Sequence, residues 1–380
     1  MSKTDGKHSW PSWVPAWVVV IPLVVGLGGG LLIGGLVFGP EDEDIGPVPI
    51  DLGGPGRYVA LGDSYSAGEG LAPFEQTTQD IEQGGDRCHR SGSLAYARLF
   101  VFVWPTTTNF RACAGAMVAN VFDHVQDHSG VDDSQGLQVE PEIAGEDVLF
   151  VTVTMGGNDV GFAKVLSFCY SEEPCPDVTY KDDMTLRDWA AARLEQLKTD
   201  LLGLYPRLRQ SFPSARILVL GYPSLFPLKA PPLYKEHGVL CTALFRRWTL
   251  PEREAIRDWG FNLNRVIQEA TQAANSGIEF IDIGSYFAGH EPCSAGGEWV
   301  RFIGLINRAV RDGSFHPLRE GQAMMARIVS CYLAVFPAAD TPRTKITKYA
   351  MTGCVGRETA EVVESTGTAV PTADGAATPT

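Results

Sequence analysis

Asp147-Val-Leu-Phe-Val-Thr-Val-Thr-Met155, broken at once by Gly156-Gly157, is the stretch on which the fold turns. It is β-branched and apolar with no solvated face, the pattern of a strand buried on both sides. Three further stretches read in the same way: Arg57–Gly62, Ala215–Leu220 and Ile278–Ile283. Helical apolar spacing occupies Leu186–Ser211, Glu252–Ala274 with Pro251 near its start, and Gly321–Phe336. Buried strands alternating with helices predict an α/β fold, a parallel sheet covered on both faces. There is no internal repeat.

The ends of the chain differ from this middle block. Residues 17–38 carry no charge and are dominated by Val, Leu, Ile and Gly. At ~1.5 Å per residue such a stretch crosses a hydrocarbon core of about 30 Å. Trp10, Trp13 and Trp17 flank it where amphipathic rings suit an interface, with Lys3 and Lys7 before it and Glu41-Asp-Glu-Asp44 after it. The exit, Gly-Gly-Leu-Val-Phe-Gly-Pro-Glu, is a poor cleavage site. The expected organisation is a cytoplasmic segment 1–16, a transmembrane signal anchor 17–38, a Pro/Gly/acid-rich linker 39–56, a folded α/β domain 57–356 and a disordered tail 357–380. Secretion after cleavage is the alternative.

Composition excludes some functions. The formal charge is −14, from 31 basic and 45 acidic residues, so nothing neutralises a phosphate backbone and no nucleic-acid partner is expected. Eight cysteines at 88, 113, 169, 175, 241, 293, 331 and 354 permit full pairing, and no Cys-x-x-Cys occurs, so zinc ribbons find no support. His124 and His128 stand four apart but lack a His-Glu-x-x-His motif and read as a solvated helix face. No metal and no cofactor is expected.

In parallel sheets, ligands bind at the carboxyl ends of strands. Ser64 follows the first strand, Asn158 the second, and His316 precedes the last helix. A hydroxyl attacks a carbonyl only if a base removes its proton and donors stabilise the oxyanion. Ser, His and Asn are residue types that meet those needs. Gly62-Asp63-Ser64-Tyr65-Ser66 is not a Gly-x-Ser-x-Gly elbow, which disfavours the α/β-hydrolase fold. Taken alone it reads equally as a helix cap supplied by Asp63 or Ser64.

Its neighbours decide otherwise. Gly-Asp-Ser-Tyr, Cys113-Ala-Gly115-Ala, Met155-Gly-Gly-Asn-Asp159 and Phe315-His-Pro317 occur in that order, and this resembles the SGNH (GDSL) hydrolase family. The resemblance implies a flavodoxin-like three-layer α/β/α sandwich. By it Ser64 is the nucleophile and His316 the general base. The oxyanion hole is then the backbone N–H groups of Ser64 and Gly115 with the side chain of Asn158. Family members often carry an acid three residues before the histidine, where this chain has Gly313; Asp312 stands four before. Either Asp312 or a backbone carbonyl of that loop orients His316.

Asp-Ser-Tyr-Ser-x-Gly-Glu-Gly, Cys-His-Arg-Ser and Ala-Cys-x-Gly are similar to a branch of secreted actinobacterial lipases and esterases. That likeness implies Cys88–Cys113, Cys169–Cys175 and Cys241–Cys293, leaving Cys331–Cys354 as a fourth bridge. His89, inside Cys-His-Arg, reads as structural or substrate-lining. The expected function is extracytoplasmic hydrolysis of acyl esters of lipid or glycan, with Gly221–Leu228 read either as apolar pocket wall or as core. A polysaccharide O-deacetylase and a non-catalytic membrane-tethered binding protein are the alternatives.

Overall fold

The computed structural model describes residues 47–79, 85–126, 137–171, 175–227, 249–292, 294, 297–302, 313–337 and 351–355. Its centre is a five-stranded parallel sheet built from β1 (Gly56–Gly62), β2 (Thr106–Phe110), β3 (Val148–Thr154), β6 (Arg216–Leu220) and β7 (Glu279–Ile281). Their spatial order is β2-β1-β3-β6-β7. This is the flavodoxin-like order, in which the chain reverses direction across the sheet between β1 and β3. The register runs Val59 beside Asn109 on one side and beside Val151 on the other, then Val151 beside Ile217 and Val219 beside Phe280. A short antiparallel hairpin, β4 (Thr179–Lys181) and β5 (Met184–Thr185), stands apart from the sheet.

Both faces of the sheet are covered, as its uniformly apolar strands require. On one face lie α5 (Leu186–Ser211) and α6 (Leu250–Ala273), packed on each other. The start of α5 is capped by the Thr185 hydroxyl, which accepts from the Asp188 N–H at 3.1 Å. Thr249 and Glu252 form a capping box at the start of α6. The short α2 (Tyr96–Leu99) packs against α7 (Arg319–Val335). Phe150, Thr152 and Thr154 of β3 point to that second side, where Tyr96 donates to the Thr152 hydroxyl at 3.0 Å. Val151, Val153, Leu197, Leu201, Ile217 and Val219 are all essentially inaccessible, so the core runs unbroken from the sheet into α5. The expected strands and long helices are all present, with ends displaced by a residue or two.

Packing also extends upstream of Arg57. Ile50, within the stretch read as linker, is buried; its N–H donates to Val101 O at 2.7 Å and its carbonyl accepts from Val103 N–H at 2.9 Å. Residues 1–16, the apolar stretch 17–38 and the tail 357–380 lie outside the described residues. Among the described residues no helix is long and apolar enough to cross a membrane.

Candidate active site

The carboxyl ends of β1 and β3 lie side by side, with Gly62 opposite Thr154. Gly62 has φ +130°, and a Cβ there would sit 2.6 Å from Ser66 Oγ and 2.7 Å from Thr154 O, so only glycine lets the chain turn here. The buried Gln138 amide closes the turn from the other side, accepting from Gly62 N–H and donating to Gly62 O, both at 2.8 Å. The chain then enters α1 (Ser64–Ala67), with Asp63 as its N-cap accepting from Tyr65 N–H at 3.0 Å. The capping role belongs to Asp63. The Ser64 hydroxyl is thereby left for another partner.

That partner is His316, whose Nε2 lies 2.7 Å from Ser64 Oγ across 252 residues of chain. The imidazole Nδ1 is 2.9 Å from the carbonyl of Ser314. An acceptor at Nδ1 selects the tautomer with its proton there, which leaves Nε2 to accept from the serine. Phe315, just before the histidine, has φ +60°, a left-handed conformation costly for an aromatic residue. Its carbonyl accepts from the Tyr65 hydroxyl at 2.5 Å, and its N–H donates to Arg301 O at 2.8 Å. Asp312 lies outside the described residues.

The loop after β2 is tied to the turn before Ser64, with Cys113 N–H donating to Gly62 O at 3.0 Å. Gly115 has φ +82°, and its neighbours are tied down: Ala114 N–H donates to Cys88 O and Ala116 N–H to Cys113 O, each at 3.1 Å. Among the described residues, the N–H groups of Ser64 and Gly115 donate to no protein acceptor. Asn158 follows β3, and its Nδ2 donates one hydrogen to Ala116 O at 2.9 Å, which orients the amide and leaves its second hydrogen. Next to it Asp159 is buried, and desolvation pushes its carboxyl up to about 6 against the hydrogen bond it accepts from Val118 N–H. Asp159 thus anchors the loop to Val118.

Asp63 carries more than its cap. It is buried, and desolvation raises its carboxyl to about 6 even though Tyr222, Thr154 and Tyr65 all donate to it. Thr154 Oγ1 lies 2.7 Å and Tyr222 Oη 2.5 Å from its two oxygens. Neither Tyr222 nor Gln138 carried any signal beyond its residue type. Tyr222 does follow the β6 strand end, where site residues are sought.

A serine in contact with a histidine thus stands at the end of β1, and the Asn158 amide joins the loop after β3 to the loop that carries Gly115. The GDSL-like lipase/acylhydrolase family model matches residues 60–324, from β1 through the first turns of α7. The chain belongs to this family. As a GDSL-like hydrolase it is an ester-cleaving enzyme of the lipase/esterase type. A lipase of Streptomyces rimosus is 30% identical over 268 residues, spanning 70% of this chain and 82% of that lipase. Lipase 1 of Streptomyces coelicolor is 30% identical over 273 residues with the same two shares, 70% and 82%. Among solved structures, phospholipase A1 from Streptomyces albidoflavus is similar with a TM-score of 0.50 at 28% identity, covering 70% of this chain and 94% of that one.

Several other expectations for this GDSL-like hydrolase meet the structure directly. Cys88–Cys113, Cys169–Cys175 and Cys331–Cys354 are disulfides. Cys241 and Cys293 lie outside the described residues. His89 is buried, with Nδ1 2.9 Å from Glu69 Oε2 and its ring stacked on Phe74, a structural placement. His124 is exposed, and His128 lies outside the described residues. Leu225 and Phe226, in the loop read as pocket wall or core, are buried among the core side chains.

Proposed function

We propose that this GDSL-like hydrolase cleaves carboxylic acyl esters through a Ser64 acyl-enzyme, on the outer side of a membrane. Ser64 Oγ attacks the ester carbonyl carbon as His316 Nε2 takes its proton. The carbonyl oxygen becomes an oxyanion that accepts from Ser64 N–H, Gly115 N–H and Asn158 Nδ2. The tetrahedral centre collapses, the C–O bond to the alcohol breaks, and His316 returns the proton to the leaving oxygen. Water then attacks the acyl carbon as its proton passes to His316, the bond to Ser64 Oγ breaks, and His316 returns the proton to Ser64 as the acid leaves. No metal or cofactor takes part in this sequence.

The observation that carries the reading is the 2.7 Å Ser64–His316 contact, together with the N–H groups of Ser64 and Gly115, which have no protein acceptor among the described residues. Each oxyanion donor is worth ~10²–10³ in rate. Three disulfides support an extracytoplasmic setting, because cytosolic thiols are kept reduced. The apolar stretch 17–38 supports tethering as a single-pass anchor. Acyl esters of lipid are the favoured substrate class, since the similar Streptomyces proteins are named lipase and phospholipase.

Hydrolysis of p-nitrophenyl esters of graded chain length, with Ser64→Ala as the control, tests the activity. Turnover that the control abolishes, rising from acetyl to medium chains, is expected. A steep preference for acetyl would redirect the substrate to O-acetylated polysaccharide, and no turnover beyond the control would leave only a binding protein. Intact mass of the membrane-extracted protein tests the tether. The uncleaved mass is expected, and loss of the first ~40 residues would replace anchoring with secretion.

A further inference from the structure

The aromatic side chain at the end of β6 has a place in the site that its sequence does not announce. Tyr222 is buried, and its hydroxyl bonds both to the turn after β1 and to the loop after β3. Asp63 Oδ2 lies 2.5 Å away and, as a carboxylate oxygen, accepts. The single phenolic proton is therefore committed to Asp63, and the lone pair faces the other way, accepting from Gly157 N–H at 3.1 Å. The bonds run in one direction, from Gly157 N–H to Tyr222 to Asp63. Asp63 caps the helix that begins at Ser64, and Gly157 immediately precedes Asn158. One phenol thus spans from the serine's turn to the oxyanion loop.

The strut is itself held. Asn264 of α6 accepts from Tyr222 N–H and donates to Tyr222 O, each at 2.8 Å, completing the backbone pairing where β6 has ended. The Tyr65 ring meets Tyr222 edge-on with centroids 5.0 Å apart. Gly157 leaves room for the phenol: a Cβ there would stand 3.3 Å from Tyr222 Cζ. A phenylalanine would fill the same space and keep the backbone bonds to Asn264, and would lose both hydrogen bonds of the hydroxyl.

We infer that Tyr222 is a positioning residue for the oxyanion hole, setting Asn158 relative to Ser64 through the Gly157 N–H. The inference rests on the reading of Ser64, His316 and Asn158 given above. It goes beyond it by assigning the distance between nucleophile and amide donor to a residue that never touches substrate. Preorganised donors lose value when displaced, because their stabilisation depends on standing where charge develops.

A double-mutant cycle tests it. Tyr222→Phe is expected to lower kcat by roughly 10–100-fold with KM changed by less than about threefold, a fraction of the ~10²–10³ carried by one whole donor. Asn158→Ala alone is expected to remove that whole amount. In the Asn158→Ala background, Tyr222→Phe should cost less than about threefold more, because the donor that it positions is gone. A trifluoromethyl ketone, which forms a tetrahedral oxyanion on the serine, should lose affinity in Tyr222→Phe in parallel with kcat/KM. Asn264→Ala, which loosens the tyrosine without removing it, should give a smaller loss by the same route. It serves in the cycle if Tyr222→Phe does not fold. Fully additive losses, or a kcat within twofold of wild type in a folded Tyr222→Phe protein, would overturn the inference and leave Tyr222 as core packing. An unchanged rate in Asn158→Ala would instead sink the oxyanion reading on which it depends.

Discussion

Removing one oxygen atom, in Tyr65→Phe, probes how His316 is kept in place. The Tyr65 hydroxyl donates to Phe315 O at 2.5 Å, and both residues are buried. Phe315 holds φ +60°, a conformation that costs a side-chain-bearing residue ~1–2 kcal/mol. The hydrogen bond offsets that cost, and leaving a buried carbonyl without its donor carries ~1–3 kcal/mol. The aromatic ring survives the substitution, so its contacts with Tyr222 at 5.0 Å and His316 at 5.1 Å remain. What is lost is the tie between the serine's turn and the residue before the base. If that energy appears as misorientation of His316, each ~1.4 kcal/mol is tenfold in rate, giving roughly a 5–150-fold fall in kcat. Steady-state kinetics on p-nitrophenyl butyrate, with urea unfolding of the same preparation, reads both effects. A stability loss of ~1–3 kcal/mol with KM nearly unchanged is expected. A protein destabilised by that amount yet turning over at the wild-type rate would refute the claim that Tyr65 seats the histidine.

Other outcomes follow from the same geometry. With Nδ1 of His316 2.9 Å from Ser314 O, Asp312→Asn should lower kcat by less than about tenfold; a loss near the ~10⁴ seen when a serine protease loses its orienting carboxylate would return that role to Asp312. The Asp63 carboxyl is raised from 3.8 to about 6 in the fold, so the folded state binds its proton more tightly than the unfolded chain. Its contribution is full below about pH 4 and is lost as pH rises through about 6, on the order of 3 kcal/mol. Urea titrations from pH 4 to 7 should therefore show wild type losing stability relative to Asp63→Asn as pH rises, and parallel curves would contradict the burial argument. Replacing Cys88 and Cys113 together by Ala should cost ~2–4 kcal/mol. It should also reduce kcat, because Cys113 lies two residues before Gly115 and Ala114 N–H is tied to Cys88 O. An unchanged kcat would limit that bridge to stability.

The sheet was legible because its strands are buried on both faces. Asp147–Met155 contains β3 with one residue to spare at each end, since apolar β-branched runs leave no alternative pairing surface. Thr106–Phe110 escaped notice for the opposite reason: as the edge strand β2 it needs only one good neighbour, and Thr-Thr-Thr-Asn-Phe has no apolar run. The contact between Ser64 and His316 was legible through the order of four short blocks. The supports were not. Tyr222 meets Asp63 across 159 residues and Gln138 meets Gly62 across 76, and a buried hydrogen bond between distant residues leaves no spacing to read. The acceptor for His316 Nδ1 was narrowed only to Asp312 or a carbonyl of its loop, because a backbone carbonyl has no residue identity by which to choose Ser314.

The most direct test of Ser64 and His316 as a working pair is covalent capture. Diethyl p-nitrophenyl phosphate should add one diethylphosphoryl group per chain, mapped to the peptide containing Ser64. The adduct should be absent from Ser64→Ala and form much more slowly in His316→Ala, with ester hydrolysis lost in step. Labelling at another residue, or ester hydrolysis that persists in Ser64→Ala, would contradict the account.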